Sequence, residues 1–192
     1  MIKAIVFDFA GVVAPGIILG WVKKHLSQDD PRYRLFKQAS AKWDMGEVSV
    51  DEFYNLLSKI SGINTMSIEK ELYAKATYHP EVIEIIKKLK LNYKIVLFSN
   101  NFAHSLYKII DKNDLRKLFD FIVISSEYKM KKPSPQFFNK MLEIVGLNKE
   151  EVIFIDDTTG NVDAGNNLGI TSFVYKSPEQ LISDLKSLQI KI

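Results

Sequence analysis

IKAIVFDFAGVV, residues 2–13, is the stretch on which the fold turns. The apolar character continues to Val22 and Lys3 stands at its head, the general look of a targeting segment or membrane anchor. Two features argue against that. Asp8 sits inside the run, and an aspartate at the centre of an inserted helix costs about 2.5–3.5 kcal/mol. Pro15 and Gly16 then interrupt it. The segment therefore reads as a short buried strand, rich in β-branched and aromatic residues, followed by a loop. No other apolar run reaches the roughly 18 residues that a membrane span needs, so no membrane partner is expected.

Four further runs share this texture: Lys94–Phe98 (KIVLF), Phe121–Ile124 (FIVI), Val152–Ile155 (VIFI) and Thr171–Val174 (TSFV). Most lack polar alternation, which suits parallel strands covered on both faces. Helical patterns separate them. Val82, Ile83, Ile85, Ile86 and Leu89 follow Pro80 at helical spacing. Ser134 and Pro135 supply a start signal for a helix carrying Phe137, Phe138, Met141, Leu142 and Val145, and Gly146 stops it. Ser177, Pro178 and Gln180 repeat the signal before Leu181, Leu185 and Leu188. Alternating strands and helices predict an α/β fold, a doubly wound Rossmann-like parallel sheet.

One region breaks the alternation. Between roughly Gly16 and Tyr78 no strand pattern is found, while Leu19, Val22 and Leu26, then Leu35, Phe36 and Ala39, are helically spaced. Ser49 and Glu52 form a capping box ahead of Phe53, Leu56, Leu57 and Ile60. The expected organisation is a core of residues 1–15 and 79–192 with an inserted helical cap, residues 16–78, hinged near Ala14–Gly16 and His79–Pro80. Trp21, Phe36 and Trp43 are read as packing of that cap, and His25, His79 and His104 as structural.

The chain has 192 residues, the length of one ordinary domain or of one carrying an insert. It is 46% hydrophobic and 26% charged, which excludes a disordered or fibrous chain. The 26 Lys and Arg nearly balance the 23 Asp and Glu, and a formal charge of +3 gives no case for nucleic acid. With no cysteine, disulfides, thiolate metal sites and a cysteine nucleophile are excluded, and a cytoplasmic location is expected. Nothing in the pattern speaks to oligomeric state.

In open parallel sheets the ligand crevice lies beyond the carboxyl ends of the strands. There stand Asp8, Phe9, Ala10 and Gly11 after the first run, Ser99, Asn100 and Asn101 after the second, and Asp156 and Asp157 after the fourth. Lys129, Lys131 and Lys132 follow the third run, Lys132 immediately before Pro133. Three carboxylates brought together repel unless a cation or a proton holds them. Hard oxygen ligands beside a phosphate point to Mg²⁺. Lys129 and Lys131 read as solvated.

The order Asp8-x-x-Gly11-Val12, Ser99-Asn100, Lys132-Pro133 and Asp156-Asp157 resembles the four motifs of the haloacid dehalogenase-like hydrolase superfamily. Each motif is short, but all four stand at strand ends in the right order, from about Ile2 to Val174. Within the helical insert, Lys42–Ser49 (KWDMGEVS), with Glu52 and Phe53, is similar to the small helical caps of the sugar-phosphate phosphatase and epoxide-hydrolase phosphatase-domain branch. The resemblance implies a Mg²⁺-dependent phosphatase acting on a small phosphorylated metabolite. It implies Asp8 as nucleophile, forming an aspartyl-phosphate. It implies Asp8, the Ala10 carbonyl and Asp157 as metal ligands, with Asp156 direct or through water. Ser99 and the Asn100 amide would hold phosphate, Lys132 would neutralise nucleophile and phosphoryl group, and Asn161 would position the acidic loop.

One position departs from the pattern. The family's phosphatases usually carry a second Asp two residues after the nucleophile, which protonates the leaving oxygen and later activates water; here it is Ala10. A positioned acid–base contributes about 10²–10⁴ in rate. The expectation is a preference for acyl or anomeric phosphates, whose leaving groups need little protonation. Two other readings follow: a weakly active or inactive relative that binds a phosphorylated ligand or protein, and a 2-haloacid dehalogenase. The paired Asp156 and Asp157 argue against the dehalogenase, a branch that works without a metal.

Overall fold

The computed structural model describes residues 1–74 and 76–192. Its centre is a five-stranded parallel sheet of β1 (Ala4–Phe7), β2 (Lys94–Ser99), β3 (Phe121–Ile124), β4 (Val152–Asp156) and β5 (Thr171–Val174), in the order β3-β2-β1-β4-β5. The doubly wound α/β reading holds. Ile2 and Lys3 lie outside β1, while β2 and β4 each run one residue further than their apolar runs, to Ser99 and Asp156.

The missing polar alternation has a direct cause: both faces of the sheet are buried. Ile5, Phe7, Ile95, Leu97, Ile153 and Ile155 face one layer. That layer is built from α5 (Pro80–Leu89), α6 (Ala103–Lys112) and α10 (Pro178–Ser187). Ala4, Val6, Val96, Phe98, Val152 and Phe154 face the other. There α8 (Pro135–Val145) contributes Phe137, Phe138 and Met141, and α9 (Thr159–Asn167) contributes Ala164.

Chain direction reverses its walk across the sheet at β1. The connection from β1 leads to β2 and β3 on one side, and the chain then crosses to β4 and β5 on the other. The switch point is the carboxyl edge between β1 and β4, where Phe7 pairs with Ile155 and the Asp8 amide donates to the Ile155 carbonyl at 2.9 Å. This places Asp8 beside Asp156.

Between β1 and α5 come four helices, α1 (Ile17–His25), α2 (Pro31–Asp44), α3 (Val50–Ser61) and α4 (Thr65–Ala74). They bury a cluster of their own that includes Trp21, Phe36, Trp43, Phe53, Leu57 and Ile68. Trp43 lies between Phe53 and Phe102, with ring centroids 4.2 and 4.0 Å away. Phe102 belongs to the loop after β2, so this stack joins the helical layer to the sheet. Stacked aromatic pairs add about 0.5–1.5 kcal/mol beyond their buried area. A short helix that the sequence reading missed, α7 (Ser125–Tyr128), makes a second joint. The Ser125 hydroxyl donates to the Asp44 carbonyl. Gly46, at φ +66°, has no room for a side chain, because a Cβ there would meet the Ser126 carbonyl at 2.8 Å.

Several local expectations need correction. Ser134 stands at the N-cap of α8, but its hydroxyl goes to the Gln136 side chain at 2.5 Å instead of capping. Gln180 returns its side chain to the Lys176 amide, leaving Ser177 to cap alone. Leu19 and Leu35, read as members of apolar stripes, are 40% and 51% exposed. The Ser49–Glu52 box forms in full.

Candidate functional site

The loop after β1 is drawn tight by its own backbone. The Phe9 carbonyl accepts from the amides of Val13 and Ala14, each at 2.9 Å, and the Gly11 amide donates to Ala14 at 2.7 Å. Gly11 adopts φ +91°, and a Cβ there would lie 2.0 Å from an Asp157 carboxylate oxygen. Glycine at this turn therefore lets the loops after β1 and β4 close on each other. Asp8, Asp156 and Asp157 consequently each present a carboxylate oxygen within 4.8 Å of the others.

A buried ammonium holds this group together. Lys132 Nζ donates to Asp8 Oδ1 at 2.8 Å, to Asp156 Oδ2 at 2.6 Å and to the Phe98 carbonyl at 2.8 Å. All three of its donors are used, and the residue is 2% exposed. Burial works against the charged Lys132, but Asp8 and Asp156 outweigh it and hold its pKa above the usual lysine value. Burial also pushes the Asp8 carboxyl up to about 7; the Asp156 charge adds to this and Lys132 opposes it. Burial, seconded by Asp156, raises Asp157.

The two tandem aspartates differ. Asp156 is wholly buried, taking bonds from Lys132, from the Thr158 amide at 2.8 Å and from Asn161 Nδ2 at 3.1 and 3.0 Å. Asp157 is exposed and takes a single side-chain bond, from the Thr158 hydroxyl at 3.2 Å. Its lone pairs are largely free.

On the β2 side, Asn100 turns its side chain to the Lys132 backbone and leaves its own amide for other work. Ser99 is wholly buried, and its hydroxyl has no hydrogen-bond partner among the described residues. Lys129 is exposed. Lys131, read as solvated, instead lines a cavity of about 460 Å³ between the helical layer and the strand ends. Ala10 and Asn100 line the same cavity. Every sequence-predicted site residue thus falls at one edge. What the sequence reading missed is Asp44, which also lines the cavity. It stands inside the quoted KWDMGEVS segment, and only the docking of that segment on α7 shows where it points.

The comparisons with known proteins agree with this architecture. Residues 33–175 match the family model described as haloacid dehalogenase-like hydrolase, and the chain belongs to that family. The matched span carries Ser99, Lys132, Asp156 and Asp157; Asp8 precedes it. D-ribitol-5-phosphate phosphatase of Bacteroides thetaiotaomicron is 27% identical over 90% of this chain and 91% of that protein. A HAD family enzyme of the same organism, crystallised with magnesium and inorganic phosphate, superposes with a TM-score of 0.75 at 21% identity, covering 92% of this chain and 95% of that one. L-2-haloacid dehalogenase of Xanthobacter autotrophicus, with chloropropionic acid covalently bound, gives 0.68 at 19% identity, covering 100% and 85%.

Proposed function

We propose that this protein is a Mg²⁺-dependent phosphatase that cleaves a small phosphorylated metabolite through an aspartyl-phosphate on Asp8. The observation that carries the proposal is the Lys132 ammonium bonded to Asp8 and Asp156, with the Asp157 carboxylate, held only by the Thr158 hydroxyl, within reach of both. A dehalogenase needs the nucleophile and a cation, but a second, free carboxylate beside them has no task in it. A divalent metal gives that carboxylate one.

The donor set fits such an ion. Asp8 and Asp157, with the Ala10 carbonyl, would supply hard oxygens, and Asp156 would bind directly or through water. When bound, the ion supplies charge that draws an anionic nucleophile and an anionic phosphate together. The remaining steps belong to the chain. Lys132 neutralises Asp8 and the phosphoryl oxygens as a fixed point charge, at no reorganisation cost because its three bonds already hold it. Ser99 and the Asn100 amide receive phosphate oxygens; the unpartnered Ser99 hydroxyl supports this assignment. Asp8 attacks phosphorus and the leaving oxygen departs. Water then cleaves the aspartyl-phosphate and releases phosphate. Asn161 and the Thr158 amide fix Asp156, which orients Lys132.

In this reading residues 1–15 and 79–192 are the catalytic core and residues 16–78 a cap whose inner wall selects the substrate. The phosphatase relative and the magnesium and phosphate complex of the structural neighbour both support it. Among the described residues no helix is long and apolar enough to cross a membrane.

Ala10 favours a second reading, a phospho-ligand-binding protein with little turnover. The deciding experiment is a screen of sugar, acyl and nucleotide phosphates with and without Mg²⁺, with Asp8→Asn as control. Turnover that needs both metal and Asp8 supports the phosphatase. Binding of inorganic phosphate with no turnover by either protein favours the binding module. Halide release from a 2-haloacid, indifferent to chelator, would overturn both.

A further inference from the structure

The phosphatase reading leaves one task unassigned. An alkyl or sugar alkoxide leaving from phosphorus needs a proton, and Ala10 has none to give. Another residue lining the same cavity has one. Asp44, the last residue of α2, lines the same cavity as Ala10 and Asn100, and its carboxylate makes no hydrogen bond or ion pair among the described residues. It is also held in place: the Ser125 hydroxyl binds its carbonyl, and the close approach of Gly46 to Ser126 pins the turn that follows. Ser125 receives the Asn101 amide at 2.9 Å as well, so a single hydroxyl ties the loop beside the phosphate site to the turn bearing Asp44.

We infer that Asp44 is the acid–base of this enzyme, supplied from the helical layer in place of the side chain missing at Ala10. This rests on the phosphatase reading. In the first half-reaction Asp8 forms the new O–P bond as the bond from phosphorus to the leaving oxygen breaks, and the Asp44 carboxyl passes its proton to that oxygen. The alcohol departs and water takes its place. In the second half-reaction the Asp44 carboxylate accepts a proton from this water as its oxygen bonds phosphorus and the Asp8 O–P bond breaks. Asp8 and Asp44 are both restored.

The surroundings suit the role. Burial pushes the Asp44 carboxyl up to about 6, against the pull of Lys131, Lys132 and Lys37. Those ammonium groups come from the loop before α8 and from α2 itself; Tyr54 of α3 and Tyr73 of α4 are the other titratable groups lining the cavity. An acid near its midpoint around neutral pH can both give and take a proton.

Leaving-group dependence tests the inference. Acetate leaves acetyl phosphate without help, whereas the much more basic phenolate of phenyl phosphate is helped by a proton. In Asp44→Asn, kcat/KM, which reports only the steps through Asp8 phosphorylation, should fall about 10²-fold for phenyl phosphate and change less than about threefold for acetyl phosphate, and Asp44→Glu should recover part of the loss. By contrast, kcat should fall on both substrates wherever water attack on the aspartyl-phosphate limits turnover. In the wild type, kcat/KM for phenyl phosphate should decline on the alkaline side with an apparent pKa that acetyl phosphate does not show, a measurement that needs no variant. Equal losses of kcat/KM on both substrates, or none, with matching pH profiles of kcat/KM, overturn the role of Asp44 while leaving the phosphatase intact. If the wild type hydrolyses neither substrate with Mg²⁺, the phosphatase reading falls and Asp44 with it.

Discussion

Asn100 grips the backbone of Lys132 with both ends of its side chain. Its Nδ2 donates to the Lys132 carbonyl and its Oδ1 accepts from the Lys132 amide, each at 2.8 Å. The pairing spans 32 residues of sequence and joins the loop after β2 to the loop before α8. A side chain spent this way does not read the substrate; it fixes where the Lys132 ammonium stands.

The consequence is a prediction for Asn100→Ala. Loss of the clamp unpairs a partly buried amide and carbonyl, which costs about 1–3 kcal/mol each when no water replaces the partner. Stability measured by urea unfolding should drop by at most about 2–6 kcal/mol in total, and by less where water takes up the freed groups. Turnover should also fall, with kcat affected more than KM, because the displaced charge is needed most at the transition state. Unchanged kcat in a folded variant would show that Lys132 is held without the clamp.

Lys132→Met should be the more damaging change. It leaves Asp8 and Asp156 buried side by side with no counter-charge, and unpairing a buried ion pair costs about 3–5 kcal/mol. The sign of the pH dependence follows from Asp8. Its carboxyl is pushed up to about 7 in the folded protein against 3.8 as a model group, so between those values the folded state holds a proton the unfolded state has released. Stability therefore falls as pH rises across that window. Without Lys132 to oppose burial, the carboxyl should rise further. The deficit relative to wild type should be smaller at pH 5.5 than at pH 8, by urea unfolding in chelator.

Much of this arrangement was legible because α/β topology converts strand ends into a site. Once five apolar runs were read as parallel strands, Asp8, Ser99 and Asp156 had to fall on one edge. What stayed hidden depends on partners distant in sequence. KWDMGEVS gave no sign that Asp44 faces inward, since its direction is set by Ser125 and Ser126 across 81 residues. Lys131 looked solvated because the helical layer that covers it is remote in the chain. The Asn100 clamp was invisible for the same reason: an asparagine after a strand reads as a loop former until its partner is known. Leu19 and Leu35 failed in the opposite sense, since helical spacing names a face without saying whether anything packs on it.

Metal affinity should follow the same proton. In the proposed site Asp8 is a metal ligand and must be a carboxylate, so Mg²⁺ would compete with a proton held up to about 7. Apparent affinity, by titration calorimetry, should rise roughly tenfold per pH unit from 5 to 6.5 and level off above 7.5. The thermal stabilisation given by a fixed Mg²⁺ concentration should grow over the same range. Asp8→Asn removes the competing proton and one ligand together, so its weaker binding should be far less dependent on pH. A pH-independent wild type would mean that Asp8 is not a ligand.

Ser99 separates a ligand-holding residue from a structural one. Its hydroxyl is wholly buried and unpartnered, and an unmade bond of this kind costs the folded protein about 1–3 kcal/mol. A hydroxyl serving to cap a helix or tie a loop would have a partner, and its loss would destabilise. Ser99→Ala removes the orphan instead, so thermal unfolding without ligand should be unchanged or slightly later. Inorganic phosphate should bind about tenfold more weakly, the effect of losing roughly 1.4 kcal/mol, read as a raised inhibition constant. A destabilised variant with unaltered phosphate binding would assign the hydroxyl to the fold and move the phosphate site away from the end of β2.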